Sequence, residues 1–303
     1  MSSLDADFIA PTPAASTAQK VRPFYWSLKR ELWEHRAIWV APAAVAALVL
    51  LGFVLGSFGL PNRVHRAEAG GSTSSLMLPY AVACAGAFIA AALSGAYYCL
   101  TCLQGERRDR SILFWKSLPV SDRIAVLAKA AVPMVVQPLA VFAVAVSAHL
   151  AMLAWGTIAM LVWNNNPGPL WVHGFPGFMW TAMAISLPYM ALWHAPVIAW
   201  LMLVSAWARR ATFLWAVIPP VMLGVLERMV FDTSHFFSFL NTRLMGGLAH
   251  AVSIGGQGET PLRGLQDIAV ARMIADPNLW IGLVLAALLF EGAVRMRRLR
   301  EPN

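Results

Sequence analysis

Apolar residues recur along the chain in six long windows, with a long segment separating the fifth from the sixth. The windows are Ala37–Phe58, Leu76–Leu103, Ala128–Trp155, Thr181–Trp207, Thr212–Val230 and Leu279–Val294. A helix needs about 20 mostly apolar residues to cross bilayer hydrocarbon, whereas a membrane barrel strand needs only about 10 alternating ones. The pattern therefore predicts an all-α polytopic membrane protein with about six spans. The third to fifth windows contain Pro133, Pro138, Pro188, Pro196 and the pair Pro219-Pro220. Proline removes a backbone donor and bends a helix, and membrane helices tolerate it where neighbours re-satisfy the freed carbonyl. Bent spans packed inside a bundle are expected.

The polar segments carry more information than the spans. Residues 1–20 are rich in Pro, Ala, Ser and Thr and lack the basic-then-apolar order of a signal peptide. They are expected to be a disordered tail ahead of a single membrane domain over 21–303. Phe24–Arg36, FYWSLKRELWEHR, has helical amphipathicity. Phe24, Tyr25, Leu28 and Leu32 share one face, Arg30, Glu31 and Glu34 the opposite one, and Trp26 and Trp33 sit at the edges. Indoles favour the headgroup level, so Trp26, Leu28, Leu32 and Trp33 mark an interfacial helix before the first span. The loop Gln104–Lys129 runs from charges through the apolar stretch Ile112–Trp115 to Leu118-Pro119. Ser121 then suits the N-cap of the third span, with Asp122 in its first turn. Aromatic and aliphatic side chains beside charges on such a loop suggest a docking surface for a partner.

Composition agrees with the pattern, and charge orients it. Hydrophobic residues make up 59% of the chain and charged residues 13%, about half the charge usual in soluble domains. The net charge of +8 would suggest nucleic acid in a soluble protein, but in a membrane protein the positions of the cations matter more. With both ends on one side, that side holds Lys20, Arg22, Lys29, Arg30 and Arg36. It also holds Arg107, Arg108, Arg110, Lys116, Arg123 and Lys129, the pair Arg209-Arg210, and Arg295, Arg297, Arg298 and Arg300. These are 17 of the 23 basic residues. The positive-inside bias predicts that this side, with both termini, is cytoplasmic.

Candidate chemistry inside the spans is sparse. Cys84, Cys99 and Cys102 all lie in the second window, where buried thiols behaving as small apolar residues are expected rather than a metal or redox site. Ionisable residues within spans are functional candidates by default. His149, His194 and Gln137 are the possible pathway residues, each weighed against a plain hydrogen bond to another helix. Glu227 and Glu291 read as interfacial. In the segment between the fifth and sixth spans, Asp232 and His235 make too weak a pair for a metal, and Asp232 or Ser234 suits a helix cap. The stretch Val162–Met179, rich in turn formers and aromatics, is expected to be an ordered interfacial loop.

The loop segment DRSILFWKSLPVSD, within Arg107–Ser121, resembles the cytoplasmic loop of bacterial type 2 ABC transporter permeases, and the six-span plan is similar along nearly the whole chain. The resemblance implies a coupling helix in Glu106–Asp122 that sits in a cleft of a separate ATP-binding subunit. Arg107, Arg110, Ile112, Phe114, Trp115, Lys116 and Ser121 are its implied coupling residues, with Arg110, Phe114, Trp115 and Lys116 the main anchors. It further implies pairing with a second permease copy or a related permease, contact with membrane lipid, and residence in the bacterial inner membrane. ATP and Mg would belong to the partner, with no cofactor, metal or nucleic acid on this chain. The sequence has no G-x-x-x-x-G-K-[ST], H-E-x-x-H or G-x-S-x-G element, so a non-catalytic exporter subunit is expected. The alternatives are a resistance or sensing component that extracts or detects a membrane-active compound, and an integral membrane lipid enzyme.

Overall fold

The computed structural model describes residues 23–70, 73–109, 111, 120–253 and 274–299. Every regular element among them is a helix. In chain order these are α1 (Pro23–Glu34), α2 (Ala37–Leu55), α3 (Leu60–Glu68), α4 (Ser74–Thr101) and α5 (Gln104–Arg108). From residue 122 onward come α6 (Asp122–Val162), α7 (Gly168–His173), α8 (Gly177–Trp207), α9 (Thr212–Phe231), α10 (His235–Ser253) and α11 (Pro277–Leu299). Six stretches are long and apolar enough to cross a membrane: α2, α4 with α5, α6, α7 with α8, α9 and α11. The chain is a multi-pass membrane protein by that criterion.

Two spans extend well beyond their apolar windows. Helix α6 starts at Asp122 rather than Ala128, and α11 runs on to Leu299 rather than stopping at Val294. Hydropathy ends a span at the first charges, but here Asp122, Lys129 and Arg297 pair with charges on other helices, so the backbone stays helical through them. Pro133 falls in a π-turn at Val132–Val136, where the widened turn absorbs the missing N–H without ending α6. The stretch Val162–Met179, read from the sequence as an ordered interfacial loop, holds a short helix, α7.

Small residues bring the helices together. On α4, Ala83, Ala87, Ala91 and Gly95 recur every fourth residue and are buried where α2 and α6 pack. Ala195 and Ala199 of α8 meet Ala286 of α11 in the same way. Lipid gives apolar side chains no reason to leave it, so close backbone approach is what holds such helices. Gln137 of α6 reaches into the α4 seam, donating from Nε2 to the Ala91 carbonyl (2.6 Å) and to Ser94 Oγ (3.1 Å). Leu48, Leu51, Leu93, Leu139, Leu223 and Leu288 point outward from their spans, as a hydrocarbon solvent allows.

The Gln137 amide occupies the space that a side chain at Gly95 would need, its Cδ and Nε2 both lying 3.1 Å from an ideal Cβ there. Gly95→Ala is expected to cost about 1–3 kcal/mol by overpacking, seen as a lower thermal unfolding midpoint in detergent. Gly52→Ala serves as the control, because a Cβ at Gly52 meets nothing within 4 Å; its midpoint should hold or rise.

Candidate functional site

Ionisable residues converge at the end of the bundle that carries α1, α5, the start of α6 and the finish of α11. Glu31 of α1 is 2% exposed, Glu106 of α5 8%, Lys129 of α6 3% and Arg297 of α11 6%. An ion removed from water costs several kcal/mol unless a well-placed partner and further hydrogen bonds replace the lost hydration. Each of these four has both. Lys129 Nζ lies 2.6 Å from Glu31 Oε1 and 3.2 Å from Glu106 Oε1. The Arg30 guanidinium bridges the same two carboxylates at 3.0 and 2.9 Å. Arg297 spans Glu106 Oε2 (3.1 Å) and Asp122 Oδ1 (2.7 Å). The remaining oxygen of Glu31 accepts from the Tyr98 hydroxyl of α4 at 2.9 Å. Three cations and three carboxylates thus cancel.

The local sequence explains who can join. Asp122 and Lys129 are seven residues apart, two helical turns, so they line one face of α6 with Val126 buried between them. Ser121 starts that helix in an extended conformation, its Oγ accepting from the Ile124 N–H at 3.3 Å. Burial works against the charge on Arg30, but Glu31, Glu106 and Glu34 outweigh it and hold its pKa above the ordinary arginine value. Around the ions lies a dense apolar shell including Ile38, Tyr98, Cys99, Cys102, Val126, Met202 and Ala293. The cysteines beside the cluster are free thiols.

Beside the ions, two helix ends satisfy each other. Arg107 donates to the carbonyls of Ser205 (2.6 Å) and Ala208 (2.9 Å), the last acceptors of α8. A cation at a helix C-terminus also offsets the negative end of its dipole. In return Ser205 Oγ accepts the N–H groups of Leu103 and Gln104, both at 3.1 Å, where α4 gives way to α5. The segment just before residue 110 is therefore bolted to α8, and the segment just after residue 119 to α11 and α1.

Of the residues singled out in the sequence, Arg107 and Ser121 belong to this region. Arg110, Ile112, Phe114, Trp115 and Lys116 lie outside the described residues. On α1, Leu28 packs toward the core while Trp26 and Trp33 face outward. Glu31 separates from Glu34 in environment: its carboxylate turns into the bundle, where Lys129 and Tyr98 wait, and the carboxylate of Glu34 stays half exposed. Lys129 carries a signal in the sequence, an isolated charge flanked by apolar residues at a span boundary, whereas Glu31 and Glu106 sit inside charged runs that do not mark them. Their matching across the chain shows only in three dimensions.

His149, Gln137 and His194 stand apart from the ions. The indole of Trp180 donates to His149 Nδ1 at 2.9 Å. Because an indole N–H can only donate, Nε2 carries the proton and gives it to the Tyr80 carbonyl at 2.9 Å. Both ring nitrogens of the neutral imidazole are then occupied. Nδ1 of His194 lies 2.8 Å from the Met190 carbonyl of its own helix. Near the start of α10, Glu227 does the work expected of Asp232 or Ser234: its carboxylate accepts the N–H groups of His235 and Phe236, each at 2.8 Å, and the Thr233 hydroxyl. Among the described residues no group of three His, Cys, Asp or Glu side chains is arranged to hold a metal. Comparison with protein-family models, with curated proteins and with solved structures finds no match.

The ion cluster makes a stability prediction. Glu31→Leu or Lys129→Met alone strands a buried partner and should cost about 3–5 kcal/mol. Together they remove one charge of each sign and leave Arg30, Glu106, Asp122 and Arg297 balanced. The double variant is expected to lose less than the sum of the two by at least about 1 kcal/mol, measured as unfolding free energy in detergent.

Proposed function

We propose that this chain is the transmembrane permease subunit of a bacterial ABC exporter, driven by a separate ATP-binding subunit. The supporting observation is how the flanks of the loop over residues 110–119 are held. Glu106 and Arg107 on one side, and Asp122 and Lys129 on the other, are each fixed to other helices by buried ionic or hydrogen bonds. A push on that loop would not be absorbed by a slack hinge. It would reach α1, α6, α8 and α11 together, which is what conversion of a partner's motion into rearrangement of spans requires.

On this reading the charged end faces the cytoplasm, as the cation distribution predicts, and the protein resides in the inner membrane with a second permease subunit beside it. Arg110, Phe114, Trp115 and Lys116 make the contact with the ATPase. Energy is imported, since the sequence carries no P-loop to cradle nucleotide phosphates. The chain's part is mechanical. Its substrate is an amphipathic compound that partitions into the bilayer.

Substitution of Arg110 and Trp115 by alanine tests the reading. Arg and Trp at the centre of an interface are each worth about 2 kcal/mol, or about thirtyfold in affinity. The double variant should insert normally, lose the copurifying ATP-binding subunit, and lose ATP-dependent uptake into inverted vesicles. Unchanged binding and uptake would refute the proposal, as would lipid turnover by the chain purified alone.

A further inference from the structure

The face of α1 turned away from the ion cluster has its own chemistry. Tyr25, Trp26 and Trp33 are 52%, 58% and 70% exposed, large values for aromatic rings on an ordered helix. Lys29 falls between the two indoles, three residues after one and four before the other, so all three share a side of the helix. Its ammonium lies 5.2 Å from the Trp26 ring and 5.6 Å from the Trp33 ring, within cation–π range of both. Arg36, just past the end of α1 at the N-cap of α2, is also exposed.

Among the cations of α1 and its junction with α2, the charge balance leaves these two over. Arg30 is taken by Glu31, Glu106 and Glu34, Lys129 by Glu31 and Glu106, and Arg297 by Glu106 and Asp122. Lys29 and Arg36 have no carboxylate partner among the described residues. Of the carboxylates of α1, Glu31 turns into the bundle and Glu34 is held by Arg30, which leaves the Lys29 charge between aromatic rings on the exterior.

We infer that this outward face of α1 is a binding site for the headgroup of an anionic phospholipid. Lys29 and Arg36 supply the charge for its phosphate, and Trp26 and Trp33 supply the amphipathic walls. Indoles favour the headgroup level, and a basic aromatic helix face lies in the plane of an anionic surface. Lipid is favoured over a protein partner by continuity. The chain runs directly from this helix into α2, a span whose first turn exposes Trp39 and Val40 and whose Leu48, Leu51 and Leu55 are exposed further along. A lipid seated at Lys29 lays its acyl chains along that span. The inference needs only a multi-pass membrane protein and stands whether or not an ATPase drives it.

The test uses the full-length protein reconstituted in phosphatidylcholine vesicles containing trace photoreactive phosphatidylglycerol, with crosslinked peptides mapped by mass spectrometry. Crosslinks should fall on 23–40 and be competed by unlabelled phosphatidylglycerol, but not by extra phosphatidylcholine or by inorganic phosphate. Lys29→Gln with Arg36→Gln should weaken that competition about thirtyfold, at about fivefold per charge. Lys29→Arg with Arg36→Lys should retain it. Both positions lie outside the ion cluster, so the variants should keep the unfolding midpoint of the parent in phosphatidylcholine. The inference fails if phosphatidylcholine competes equally, if inorganic phosphate displaces the probe, or if the glutamine variant binds as the parent does.

Discussion

Ions can be buried at the end of a membrane bundle only if every one of them is answered, and that constraint shapes this molecule. Lys129 sits among apolar side chains because Glu31 and Glu106 reach it from two other helices. Glu106 in turn is tolerable because Arg30 and Arg297 close on its two oxygens. Breaking any link leaves a charge that neither lipid nor core can solvate. The cluster therefore specifies which helices must meet more sharply than the apolar seams do. Small residues such as Ala87 and Ala199 permit close approach, but they would permit it at several registers.

The two kinds of contact divide the bundle. Away from the ions, buried polar groups such as His149, between Trp180 and the Tyr80 carbonyl, are neutral and paired, while the hydroxyls of Tyr80 and Tyr189 have no hydrogen-bond partner among the described residues. Arg243 of α10 is the exception. It is buried, stacks 4.2 Å over Trp193 and donates to the carbonyls of Trp193 and Asn278. That one side chain pins α10 to α8 and α11, and Gly282 leaves the room it needs. Two stretches outside the long spans, α1 and α10, are thus each held by a side chain that looks anomalous in a hydropathy plot, whereas α3 is held by Leu60, Val64 and Ala67. Such residues set orientation in the sequence and hold the packing in the fold.

Much of the architecture was legible without coordinates. Six apolar windows mark the six long helices, and Ser121 is readable as a cap because its neighbours Asp122 and Arg123 open a helical pattern. What the pattern misses follows from physics. A hydropathy window ends where charges begin, so it stops short of Asp122 and Arg297, whose partners lie about 175 to 190 residues away in the chain. Helical periodicity groups Glu31 with Arg30 and Glu34, but it cannot say which side of the helix meets protein. Here the carboxylate of Glu31 faces the protein, and Trp26 and Trp33 face out. The amphipathic reading of α1 has the right residues in the helix, and its orientation comes from partners on α4 and α6.

The central claim is that buried ion pairing, rather than apolar contact, holds α1 to the bundle. Hydrogen exchange of the backbone amides of Pro23–Glu34, compared between the parent and Lys129→Met in the same detergent, tests it most directly. The account predicts that α1 loses protection selectively, while α4 and α8 exchange as before. Unchanged protection of α1 in the variant would show that apolar packing alone secures the helix, and would contradict the account.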